Sequence, residues 1–122
     1  MAAAAPLTTH VLNTATGQPA AGLRVRLRRK QGEEDDGEVI WNSVKVASTD
    51  TDGRIRGLSE GLLLQPGEVY ELRFDTAAYF QSQGLRCFYP FVSINFEIQQ
   101  AEGHYHVPLL ISPFGYTTYR GS

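Results

Sequence analysis

Apolar residues along the chain alternate with polar ones in short runs. Over residues 22–30, Leu23, Val25 and Leu27 alternate with Arg24, Arg26 and Arg28, the period-2 pattern of a strand with one face on a core. Residues 69–75 repeat it with Tyr70, Leu72 and Phe74, and residues 91–98 with Val92, Ile94, Phe96 and Ile98. Residues 7–14, rich in Thr, Val and Leu, form another strand and stop at the turn cluster Thr16-Gly-Gln-Pro19. Residues 31–38 hold acids and glycines with almost nothing apolar. They predict a solvated hairpin loop from which residues 39–49 return as a strand. Asp50-Thr-Asp-Gly53 supplies turn chemistry and leads into a short strand at 54–58. Residues 104–111 and 116–120 complete the set, joined through Ser112-Pro-Phe-Gly115. Only residues 76–83 break the period; Ala77, Ala78, Phe80 and Gln81 suit one or two helical turns, with Thr76 or Asp75 as the cap. Seven or eight short strands and one brief helix, with turns at regular spacing, predict an all-β sandwich.

One strand carries an unusual second face. Tyr105, Val107, Leu109 and Ile111 make an ordinary core stripe, but His104, His106, Pro108 and Leu110 opposite are neither fully polar nor fully apolar. Another subunit is the simplest cover for such a face; the alternative is a single exposed leucine, which is normal by itself. His10 sits by parity with Thr8 and Leu12 on a similar mixed face.

Composition narrows the function classes. A chain of 122 residues fits one domain, expected over 7–122 after a flexible stretch at 1–6. A formal charge of -2 with 20% charged residues gives no case for nucleic acid, and no apolar run approaches the length of a membrane span. Met1-Ala-Ala-Ala-Ala-Pro6 has neither the basic nor the apolar segment of a signal peptide. The single Cys87 allows no internal disulfide and reads as a packing residue. Together these predict an intracellular protein, in cytosol or peroxisome.

The candidate chemistry rests on imidazole and guanidinium. Histidine titrates near cellular pH and takes a proton from water when neutral, although a lone histidine on a strand is more often a hydrogen-bonded structural residue. His104 and His106 form a His-x-His unit, but no third ligand stands at diagnostic spacing, so no metal site is expected. Arg54 follows a tight turn, which aims its guanidinium from a rigid corner; a plain surface charge is the competing reading. Phosphate loops, nucleophile elbows and Cys-His pairs are absent from the sequence.

Leu7-Thr-Thr-His-Val-Leu-Asn13, Thr51-Asp-Gly-Arg54, Phe88-Tyr-Pro90, His104-Tyr-His-Val-Pro-Leu-Leu110 and the terminal Tyr119-Arg-Gly-Ser122 together resemble the 5-hydroxyisourate hydrolases, the transthyretin-related enzymes of urate breakdown. The resemblance spans nearly all of the chain from Pro6. It implies a transthyretin-like (prealbumin-like) sandwich of two four-stranded sheets with one short helix, and a homotetramer whose clefts lie between dimers. It implies a purine-derived small-molecule substrate, no cofactor and no metal. By motif position it puts catalytic roles on His10, Arg54 and His106, and substrate contacts on Tyr119, Arg120 and Ser122, with His104 a neighbour. A transthyretin-type carrier of a hormone or other small ligand is the rival within the same resemblance. Departures from the family's pattern are Asn13 where Asp is frequent, Ile111 for a usual Leu, and an extended acidic loop over 31–37.

Overall fold

In the computed structural model, which describes residues 6–100 and 103–122, the alternating runs become eight strands in two sheets. The elements are β1 (Leu7–Asn13), β2 (Gln18–Pro19), β3 (Arg24–Glu33), β4 (Val39–Ser48), β5 (Val69–Phe74), α1 (Thr76–Ser82), β6 (Val92–Glu97), β7 (Tyr105–Ser112) and β8 (Gly115–Thr118). One sheet runs β2-β1-β7-β8 and the other β4-β3-β5-β6. This is the expected all-β sandwich of two four-stranded sheets with one short helix. The expected flexible stretch at 1–6 lies outside the described residues except Pro6, whose carbonyl accepts a hydrogen bond from Tyr105 N at 2.7 Å.

The period-2 faces pack where parity sends them. Leu7 and Val11 of β1, Val25 and Leu27 of β3, Tyr70, Leu72 and Phe74 of β5, and Leu109 and Ile111 of β7 all lie in the core between the sheets. Ile94 and Phe96 are half-buried at the open edge, where β6 ends its sheet. Helix α1 closes one end by burying Tyr79 and Phe80.

Several local expectations shift. The loop expected at 31–38 shrinks because β3 and β4 keep pairing as far as Glu33↔Val39. With little to bury there, backbone bonding alone extends the hairpin, and the register slips between Leu27 and Arg28 and again between Lys30 and Gly32. The strand expected at 54–58 reduces to one isolated bridge, His10↔Arg54, and the turn cluster at Gln18 and Pro19 adds a two-residue strand beside β1. Asp75 stands at the helix N-cap but makes no side-chain capping bond; its carboxylate lies 3.9 Å from Arg73 Nε instead. Asn13 is fully buried, and its Nδ2 faces Tyr79 Oη at 3.2 Å and Gln83 Oε1 at 3.4 Å. An amide donates there, as an ionised carboxylate cannot, which suits Asn at this position.

The pairing that positions the site is β1 with β7, parallel in an otherwise antiparallel structure. It matches Thr8↔His106, His10↔Pro108 and Leu12↔Leu110. Because strand side chains alternate, these six residues share the outer face of their sheet, away from the core.

Candidate functional site

His10 and His106 are therefore same-face diagonal neighbours on adjacent strands, a relation that separates such residues by about 7–8 Å. Both are half-buried, while His104 is exposed. The His106 ring is fixed by Thr8, whose Oγ1 lies 2.8 Å from His106 Nδ1. If Nδ1 carries the proton and donates to Thr8, the Nε2 lone pair is left to the open face. The protonated form of His106 is disfavoured: burial holds its pKa below the ordinary histidine value, and the positive charges of Arg54, His104 and His10 push the same way. A neutral imidazole with one nitrogen tied and the other open is suited to take a proton.

Arg54 reaches this face through a corner built for it. Asp50 N donates to Arg54 O at 2.7 Å, and the Asp50 carboxylate accepts from Arg54 N at 3.0 Å and Asp52 N at 2.9 Å. Those bonds, the Arg54 one largest, hold the Asp50 carboxyl below the usual carboxylate range. Gly53 follows with φ +76°, and its carbonyl accepts a hydrogen bond from Val11 N of β1 at 2.8 Å. A Cβ at Gly53 would stand 2.3 Å from Val11 O, so only glycine admits this approach. The resulting antiparallel bridge His10↔Arg54 sends both side chains to the same outer face. Arg54 is exposed and has no ion-pair partner among the described residues, leaving its guanidinium for an anionic or carbonyl oxygen.

The chain end closes the other side. β8 pairs with β7 as far as Leu109↔Thr118, and after two unpaired residues Gly121 N donates to His106 O at 2.8 Å. This second bridge, His106↔Gly121, lays Gly121 on the imidazole: a Cβ there would come within 2.5 Å of His106 Cδ2. Arg120, one residue earlier, sits elsewhere. Its guanidinium lies 4.7 Å from the centre of the Tyr105 ring, and Tyr105 points to the core side of β7, opposite His106. Tyr119 and Arg120 line a cleft of about 250 Å³ with Ile94, Phe96 and Glu97 of β6; His106 also borders it, but His10 and Arg54 do not. Ser122 ends the chain exposed.

Of the residues singled out from sequence, the fold brings His10, Arg54 and His106 to one face and sets Tyr119 and Arg120 at its margin. Sequence reasoning overlooked Thr8, and it placed Gly121 in the terminal Tyr119–Ser122 segment without its close approach to His106. Parity put Thr8 beside His10, but the β1–β7 register that places it on His106 comes only from the fold. No cluster of three or more His, Cys, Asp or Glu suited to a metal ion occurs among the described residues, and no helix described is long and apolar enough to cross a membrane.

Comparison with known proteins agrees with this architecture. The chain is 45% identical over 117 residues to the 5-hydroxyisourate hydrolase of Mus musculus, covering 96% of this chain and 95% of the relative. It is 45% identical over 121 residues to 5-hydroxyisourate hydrolase 2 of Rhizobium meliloti, covering 95% of each. Among solved structures, transthyretin from Sparus aurata superposes with a TM-score of 0.83 at 32% identity, covering 97% of both chains. The 5-hydroxyisourate hydrolase of Klebsiella pneumoniae gives 0.77 at 34% identity, covering 95% of this chain and 98% of its own. Residues 7–121 match the model of the HIUase/Transthyretin family, and the chain belongs to that family.

Proposed function

We propose that this protein hydrolyses 5-hydroxyisourate, opening its six-membered ring to give 2-oxo-4-hydroxy-4-carboxy-5-ureidoimidazoline in urate degradation. The observation that carries the reading is the shared outer face of His10, Arg54 and His106, with His106 held neutral and its Nδ1 tied to Thr8. Near-full-length relatives at 45% identity bear the hydrolase name.

Chemically, a water molecule adds to a ring carbonyl, its proton passes to imidazole, and the carbon–nitrogen bond of the cyclic amide breaks. The proton then returns to the departing nitrogen, so the catalyst is regenerated. His106 Nε2, with His10 across the diagonal, holds and deprotonates the water. Positioned general-base catalysis of this kind contributes about 10²–10⁴-fold. Arg54 receives the growing negative charge on the carbonyl oxygen; comparable donors contribute about 10²–10³-fold. Gly121 lies against the His106 imidazole, and Tyr119 lines the cleft beside it. Imidazole and guanidinium suffice for this step, so the reaction calls for neither metal nor organic cofactor.

The face is open in a single chain. The half-buried Leu12 and Leu110 continue it beyond the polar cluster, and a second dimer covering them would exclude water from the cleft. We therefore assign a homotetramer, acting in cytosol or peroxisome. The rival carrier reading draws on the likeness to sea bream transthyretin in complex with thyroxine, TM-score 0.82. The cationic and imidazole side chains on this face suit a polar purine better than an iodinated aromatic.

Turnover decides between them. Freshly generated 5-hydroxyisourate, followed spectroscopically, should decay rapidly with the parent chain and at least about 10²-fold more slowly with His106→Ala or Arg54→Glu. Parent rates in both variants, or tight iodothyronine binding without turnover, would reject the assignment.

A further inference from the structure

We propose that Arg120 is a positioning residue: stacked on the Tyr105 ring, it latches the chain end so that Gly121 closes on the His106 imidazole. The inference rests on the hydrolase reading for its kinetic arm only.

Chain ends fray unless tied down. Here regular pairing stops at Thr118, and beyond it a single backbone hydrogen bond, Gly121 N to His106 O, returns the tail to β7. One such bond has a small net worth and must oppose the ordering of the residues that follow the last regular pair. A second attachment is the guanidinium of Arg120, 4.7 Å from the Tyr105 ring centre.

Tyr105 is a firm platform. It is buried, its backbone N donates to Pro6 O, and its hydroxyl accepts from Gln99 N and Gln100 N at 2.9 and 2.8 Å while donating to Gln100 O at 3.1 Å. A planar guanidinium stacks on such a ring better than an ammonium does. Arg120 and Tyr105 lie on one side of β7 and its tail, and Gly121 and His106 on the other. Stacking on the Tyr105 side of β7 therefore draws the glycine onto the imidazole from the opposite side. His106 is then gripped twice, by Thr8 Oγ1 at Nδ1 and by Gly121 against Cδ2.

The charged and titratable groups around His106 are Arg54, His104 and His10, none of which the latch touches. Releasing the tail leaves those charges in place and admits water to the ring. The protonated form becomes easier to make, and the acid limb of the pH–rate profile moves up. The contacts that Arg54 and His10 offer to substrate stay, so the larger part of the fall is in kcat: about ten-fold, equivalent to about 1.4 kcal/mol of barrier.

The test uses Arg120→Met, Arg120→Lys and Tyr105→Leu in the full chain. Arg120→Met should lower kcat about ten-fold with KM nearly unchanged, and Arg120→Lys should recover part of the loss. Tyr105→Leu should resemble Arg120→Met, and the double variant should be no worse than either. If Arg120 instead contacts substrate, Arg120→Met raises KM while Tyr105→Leu does not, which overturns the latch. Imidazole NMR on the substrate-free protein is independent of turnover: the His106 pKa should rise in Arg120→Met and less in Arg120→Lys. An unchanged His106 titration rejects the latch even where Tyr105→Leu fails to fold. A parent chain that turns over no 5-hydroxyisourate rejects the hydrolase reading and leaves this measurement standing.

Discussion

The approach of Gly53 to β1 gives the sharpest stability prediction. Two glycines have nearly equal left-handed conformations, Gly53 at φ +76° and Gly17 at φ +75°. They differ in surroundings: a Cβ on Gly17 meets nothing within 4 Å, whereas one on Gly53 meets Val11 O at 2.3 Å. Gly17→Ala therefore isolates the backbone cost of a left-handed alanine, about 1–2 kcal/mol. Gly53→Ala adds a collision with an oxygen that cannot retreat, because Val11 O is held by Ala20 N at 2.9 Å while Val11 N is bonded to Gly53 O. Parting the turn from β1 breaks both bonds at about 1 kcal/mol each, more if a buried group is left unpaired. The expected loss is about 3–5 kcal/mol for Gly53→Ala, a large fraction of the stability of a typical domain. Urea unfolding followed by far-UV circular dichroism measures both, at one chain concentration because association adds to apparent stability. Losses that agree within about 0.5 kcal/mol, the usual scatter between independent sites, would show that the close approach does not constrain this corner.

Two other expectations concern charge and assembly. His106 has a folded pKa below its unfolded value of about 6.5, so it contributes stability that is present above pH 6.5 and declines as pH falls from there towards the folded pKa. Activity should likewise persist somewhat below pH 6.5. Arg54→Gln removes one of the charges holding that pKa down; an imidazole NMR titration should place His106 higher than in the parent, and a downward or absent shift would contradict the electrostatic account. Leu110→Asp puts a charge on the outer face opposite Leu12, where each covered leucine is worth about 1.5–3 kcal/mol. Light scattering should show the tetramer reduced to smaller species with strand content retained, and a tetramer that survives intact would move the interface elsewhere.

The strands were legible because each needs only its own alternation: Val25 with Leu27, and Tyr70 with Leu72 and Phe74, sort to the core by parity alone. What stayed hidden depends on partners far along the chain. Nothing near Thr8 in sequence announces that it bonds a ring 98 positions later, and a glycine such as Gly121 shows its function only against the imidazole it admits. Polar residues at 31–33 read as loop because a hairpin beyond the core has no apolar pattern to advertise it. Arg54 and the two histidines were found individually by residue type and motif, but their common face is a property of the β1–β7 register. Arg120 could not be resolved from sequence, since one step in parity decides whether it faces the histidines or the Tyr105 ring.

The parallel pairing of β1 with β7 also has a temporal meaning. The sheet β4-β3-β5-β6 starts from the β3–β4 hairpin and takes up β5 and β6 in chain order as the chain is made. The opposite sheet must hold its first strand with only the short β2 and the Arg54 bridge beside it until residues 105–112 have been synthesised, and contacts so distant in sequence form slowly. The face of His10, Arg54 and His106 then waits for Gly121, which returns to His106 only after β8 has paired with β7, so a nascent chain holds a nearly finished sandwich before that face is closed.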